Sequence, residues 1–157
     1  MAKAGYSCST EADVALVAAT AKSVLGVLAP AQFGVDLRGF EIAFDGVTTT
    51  DKPVLVEVCA CTFATNAPGT NSTSNTVQQI YGRAIAAGLT GAYGWTVEPT
   101  VLAVLKTLRL TPNGGTYDYD WPLGETLDND VSKGFAIRCT APTSAVNVRA
   151  SLRFERC

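Results

Sequence analysis

The last thirteen residues, AVNVRASLRFERC, put Val146, Val148, Ala150, Leu152 and Phe154 at alternate positions, with Asn147, Arg149, Ser151, Arg153 and Glu155 between them. Side chains on an extended chain alternate between two faces, so this run is a strand with one face made for a core. The other face carries two arginines two pleats apart. Whether Arg149 and Arg153 look at water or at a partner is the question that the rest of the chain has to answer.

Most of the remaining apolar runs are short, β-branched and bounded by Gly, Pro, Asn or Thr, the punctuation of an all-β domain. Strands are expected over 13–18, 22–29, 35–45, 53–63, 101–111, 116–121, 134–140 and 145–155. Within VDLRGFEIAF the apolar side changes faces near Gly39, as a bulge or twist at an interior glycine would cause. Asp45-Gly46, with a threonine-rich loop behind it, marks a turn. Asn113-Gly114-Gly115 reads as the turn of a hairpin between VLAVLKTLRL and TYDYDW. VLAVLKTLRL also has Val101, Leu102, Leu105 and Leu108 near helical spacing, and strand is the reading taken.

Two segments are not strand-like. Residues 64–76, ATNAPGTNSTSNT, form a polar loop without an apolar anchor, and long loops of this kind are usually functional or mobile. Its sequon at Asn71 is read as chance. GRAIAAGLTGAYGWTVEP follows, rich in Gly and Ala, with Tyr93 and Trp95 embedded where backbones can approach closely. No internal repeat, nucleotide-binding glycine motif or basic run is present. The 157 residues are expected to fold as one domain, a β-sandwich with Greek-key or jelly-roll connections and a short N-terminal arm over about residues 1–11.

Composition narrows the function. Only 17% of residues are charged and the net charge is -2, so much of the surface is suited to contact and the basic footprint of nucleic-acid binding is missing. The chain has no histidine, which removes triad-type hydrolases and histidine-ligated metalloenzymes together. Its five cysteines have no CxxC spacing and form no regular framework. Cys59 and Cys61 share a strand face and read as small packed thiols; a thiolate metal site would need two more ligands that Cys8, Cys139 and Cys157 have no paired spacing to supply. Near the N-terminus, Glu11 and Asp13 stand where a signal peptide wants positive charge. Lys22 interrupts the apolar run there, which is too short to span a bilayer. The reading is synthesis on the cytoplasmic side with no membrane anchor, no cofactor and no metal.

Carboxylate chemistry stays open at this point. Asp118 and Asp120 share a strand face with Tyr117, Tyr119 and Trp121 on the other, which allows a carbohydrate platform or a pair of glycosidase carboxylates. It also allows an outward acidic face over inward aromatics. Asp128-Asn129-Asp130 offers oxygen ligands without the spacing of a calcium loop.

The strings GFEIAFDGVTTTDKPVLVEVC, WTVEPTVL, WPLGE, GFAIRCTAP and VNVRASLRFER together resemble a family of small virion proteins of tailed phages of actinobacteria, the capsid decoration or cement-type structural proteins. The likeness runs over nearly the whole chain. It implies a β-sandwich that assembles as a small symmetric oligomer, a trimer, on the outside of a shell built from the major capsid protein. It implies no catalytic residues. Cys59, Cys61 and the terminal Cys157 are departures from that pattern that touch packing more than role. On this reading Arg149 and Arg153 pair with carboxylates on a neighbour, or else protect a strand from aggregation. Tyr93, Trp95 and Trp121 are candidate interface anchors with a core role as the alternative. The competing function is a carbohydrate- or ligand-binding module of a phage tail or fibre, using the Tyr117 to Asp130 region.

Overall fold

Thirteen short strands and no helix make up the described residues, 4–47 and 52–157, of this computed structural model. They are β1 (Gly5–Ser9), β2 (Val14–Leu16), β3 (Ala21–Leu28), β4 (Val35–Phe44), β5 (Val54–Cys61), β6 (Thr73–Asn75) and β7 (Gln78–Tyr81). The rest are β8 (Thr90–Tyr93), β9 (Leu102–Leu110), β10 (Thr116–Asp120), β11 (Leu127–Asn129), β12 (Gly134–Thr140) and β13 (Val146–Arg156). Each of the eight strands expected from the sequence has its counterpart, and the short β1, β6, β7, β8 and β11 are additional.

The strands form two antiparallel sheets packed face to face as a β-sandwich. Sheet I runs β10-β4-β13-β1-β7, with β11 beside β10 on β4 and β2 beside β1 on β13. Sheet II runs β6-β8-β3-β12-β5-β9. Neighbours are mostly remote in sequence: β4 pairs with β13 from Val148↔Phe44 to Arg156↔Val35, and β12 sits between β3 and β5. The inner faces meet in one core that includes Tyr6, Leu25, Leu37, Phe40, Phe135, Ile137, Leu152 and Phe154, all at most 1% exposed.

The alternation at the C-terminus is realised: Val148, Leu152 and Phe154 point into this core. On β4 the register slips opposite Arg153 and Phe154, which pair with Gly39 and Leu37 and leave Arg38 as the extra residue. That bulge moves the inward set from Val35 and Leu37 to Phe40, Ile42 and Phe44, the change of face read from the sequence.

Three expectations change. The turn at Asn113 does not close a hairpin, because β9 pairs with β5 in sheet II while β10 pairs with β4 in sheet I. It is a crossover between layers: β9 packs Leu108 and Leu110 onto the core from one side, and β10 packs Tyr117 and Tyr119 from the other. Gly114 and Gly115, with φ of 76° and 90°, give the chain the sharp reversal this needs. The N-terminal stretch expected as an arm contributes β1, whose Tyr6 and Cys8 are buried between β13 and β7; its first three residues lie outside the described part. So does 48–51 of the threonine-rich loop. Finally, 64–76 ends in β6 and is pinned by hydrogen bonds through most of its length.

Candidate interaction surfaces

The outer face of sheet I is where the C-terminal arginines emerge. Arg153, Gly39 and Asp120 form a row across β13, β4 and β10. Glycine is needed in the middle: a Cβ there would overlap Asp120 Oδ1 and lie 2.6 Å from the Tyr119 carbonyl and 3.0 Å from Arg153 Nη2. Through that gap Arg153 reaches across β4, donating from Nε and Nη2 to Asp120 Oδ1 at 3.1 and 2.9 Å and from Nη2 to Asp118 Oδ1. Burial pulls the guanidinium pKa down, and the hydrogen bonds to Asp118 and Asp120 more than offset it, so the net shift is upward. Arg149, two rows over beside Ala43, donates to Asp13 Oδ1 at 2.5 Å, with both side chains more than half exposed. The sequence question therefore has an intrachain answer for both arginines.

Grooves run over this face. One of about 230 Å³ lies among Arg38, Ile80, Tyr81, Asp120, Arg153 and Phe154. Another, of about 260 Å³, is floored by Ser9, Glu41, Arg149 and Ser151. Tyr81 closes one side of the first, its hydroxyl donating to Glu155 Oε1 at 2.5 Å, and Arg38 lies 3.8 Å from the same carboxylate oxygen.

The outer face of sheet II is treated in the opposite way. Ala92, Gly26, Ala136 and Cys59 form a row of small residues across β8, β3, β12 and β5. Onto it lie Trp95 and Phe63, stacked with ring centroids 6.1 Å apart. A Cβ on Gly26 would stand 3.0 Å from Trp95 and 3.2 Å from Phe63, closer than ordinary packing allows. Trp95 is 1% exposed and donates from Nε1 to the Asn66 carbonyl at 2.8 Å. The polar loop over it is held by Asn66 to the Glu98 carbonyl, by Asn71 to Asn66 and by the pairing of Thr65 with Thr100. At its edge Glu98 accepts from the Ser23 amide and hydroxyl, both at 2.6 Å, beside the Arg138 to Glu57 ion pair at 2.8 Å.

Trp95 is thus a roof beam over sheet II, its indole turned into the protein. Tyr93 is half-buried against the main core. Cys59 and Cys61 are 0% and 1% exposed, and burial raises both thiols to about 11. Burial likewise raises Cys8 to about 12, against a lowering hydrogen bond from Asn75, and drives Cys139 higher still. Among the described residues no group of three or more His, Cys, Asp and Glu could hold a metal ion. Cys157 is exposed.

Trp121 belongs to a third surface, the side of the sandwich where β9 and β10 are the outermost strands of their sheets. It packs on Phe40 at 5.8 Å and edge-on to Tyr119 at 5.1 Å. Lys106 Nζ sits 4.1 Å over the Tyr119 ring, closing the mouth between the layers. Beside it Val101, Val104 and Leu105 are 63%, 44% and 47% exposed, an apolar strip along an edge strand with no proline in it. A second exposed apolar group, Ile80, Tyr81 and Ile85, lies at and after β7 on the opposite side. Sequence reasoning missed both strips. The missing alternation in VLAVLKTLRL, which has apolar residues on both faces, is the signal that could have marked the first. Comparison with protein-family models, curated proteins and solved structures returned no match.

Proposed function

We propose that this chain is a non-enzymatic structural protein of a phage virion, bound as a trimer to the outside of the capsid shell and reinforcing it through contact with the major capsid protein. The observation that carries the reading is the pair of partly exposed apolar strips, among the described residues, on opposite sides of a low-charge sandwich. Exposed apolar residues gathered along strand edges are a liability unless another surface covers them. The five sequence strings that resemble decoration proteins say which kind of surface that would be. The test is the copy number of the chain relative to the major capsid protein in purified particles, by quantitative peptide mass spectrometry. Parity or near-parity with the shell subunit is expected; absence from particles overturns the proposal.

The groove beside Tyr81 favours a second reading, a carbohydrate-binding module of a tail or fibre. A half-exposed tyrosine ring next to Arg38, Asp120 and Arg153 has the mixture of flat apolar surface and bidentate hydrogen-bonding groups that sugars take. Binding on a glycan array that Tyr81→Ala abolishes would put this reading first.

A further inference from the structure

We infer that copies of this chain join by pairing β9 of one with β10 of the next, closing a ring about an axis parallel to these strands. The inference rests on the self-association part of the proposed function and not on the capsid. β9 and β10 are the open edges of sheets II and I on the same side of the sandwich, linked by the crossover at 111–115. Beyond the slip that leaves Leu105 as an extra residue, β9 offers the five regular residues 106–110, and β10 is five residues long. Each carries a row of backbone donors and acceptors with no partner strand among the described residues.

A rotation about a strand-parallel axis continues sheet II of one copy into sheet I of its neighbour with inner faces matched to inner and outer to outer. Because β9 and β10 run in opposite directions within a chain, the new pair is also antiparallel, and main-chain bonds form as in any sheet extension. On the inner side, Leu108 and Leu110 meet Tyr117 and Tyr119 of the neighbour, all half-buried in the single chain. On the outer side the charges are complementary. Arg109 is exposed and has no ion pair among the described residues, whereas Asp118 and Asp120, 57% and 67% exposed, share the single guanidinium of Arg153. Leu110 and Thr116 flank the same crossover, so Arg109 of one copy and Asp118 of the next fall within about one residue of the same level, roughly 3 Å along the strands. The alternative joints are disfavoured by charge: β9 on β9 gathers two Lys106 and two Arg109, and β10 on β10 gathers four aspartates.

The experiment is sedimentation equilibrium on the full chain at tens of micromolar, with two variants. The wild type is expected to be a closed oligomer, and Arg109→Glu, which removes no side-chain hydrogen bond or ion pair among the described residues, to weaken association by about tenfold or more with an unchanged circular dichroism spectrum. In the second variant Arg109→Cys, Asp118→Cys and Cys157→Ser are combined. Residues 109 and 118 lie on the outer faces of different sheets of one chain, so any disulfide between them joins two chains, and oxidation is expected to give covalent oligomers on a non-reducing gel. A monomeric wild type, an Arg109→Glu protein that associates as well as the wild type, or absence of cross-linked species overturns the inference. Each of these would leave the capsid reading to its own copy-number measurement, just as absence from particles would leave an oligomer intact.

Discussion

The two outer faces of this sandwich start from the same device and end in opposite states. Each has an interior glycine whose missing side chain lets something lie across the sheet. On sheet II, Gly26 admits the rings of Trp95 and Phe63, and the polar loop of 62–72 closes over them. On sheet I, Gly39 admits the guanidinium of Arg153 on its way to Asp118 and Asp120, and the two aspartates it reaches stay more than half exposed. One face has become a second, smaller core of Cys61, Phe63, Ala92, Trp95 and Ala136. The other remains a lattice of partly exposed ion pairs. The difference shows that what crosses a strand glycine decides whether a face is stability or surface.

The largest expected effect breaks the roofed face. Trp95→Ala removes a fully buried indole and its hydrogen bond to Asn66, and the row of small residues beneath cannot rise to fill the space. A loss of about 3–5 kcal/mol is expected from urea unfolding. The same variant should open Cys59 and Cys61 to a thiol reagent that labels only Cys157 quickly in the wild type. An unchanged labelling count would mean the loop closes the face without the indole.

The second effect sharpens the comparison through pH. Cys59 and Cys61 are raised from about 9 to about 11 by burial, so the folded state keeps both protons where the unfolded state loses them. A raised acid of this kind contributes stability that is complete below about pH 9 and is lost as the pH climbs toward 11. Each thiol adds a slope of up to about 1.4 kcal/mol per pH unit in that window. Between pH 8 and pH 10 the wild type should therefore lose about 2 kcal/mol more than Cys59→Ala/Cys61→Ala; Cys8 and Cys139 are present in both and cancel. Equal losses would show that the two thiols ionise in the folded protein and that the roof admits water.

The legible parts of this fold are those where period and burial agree. β13 alternates because one face meets the core and the other meets solvent, and a period of two reports that directly. β4 was legible even through its bulge, since Gly39 and the exchange of apolar sides leave the same trace in sequence and structure. The five short strands were not, because Thr73–Asn75 or Leu127–Asn129 are held by pairing with longer neighbours and carry almost no pattern of their own. The hairpin at Asn113 failed for a related reason: turn residues report a reversal of direction and say nothing of which sheet the next strand joins. At the surfaces the limit was range. That Trp95 is buried depends on Gly26, nearly seventy residues away, and that Arg153 is occupied depends on Asp118 and Asp120; no local window holds either pair.

The smallest expected effects separate the two arginines that the sequence could not tell apart. Arg153 is 25% exposed, bonds two carboxylates and ties the edge strand β10 back to β13 across β4. Arg153→Gln keeps the volume but leaves two aspartates side by side at a strand edge, and after discounting for solvent a cost of about 1 kcal/mol is expected. Arg149 and Asp13 are 58% and 56% exposed, and a pair held in water gains little from Coulomb attraction while ordering two mobile side chains. Arg149→Gln should change stability by less than about 0.5 kcal/mol. Its effect, if it has one, belongs to binding: Arg149 can leave Asp13 for a carboxylate on another molecule at almost no cost, whereas Arg153 would have to abandon two partners and loosen an edge strand to do the same. Matched unfolding curves and matched particle occupancy for the two variants test that ordering. An Arg153→Gln protein as stable as wild type would show that Gly39 leaves room for a contact the fold does not use.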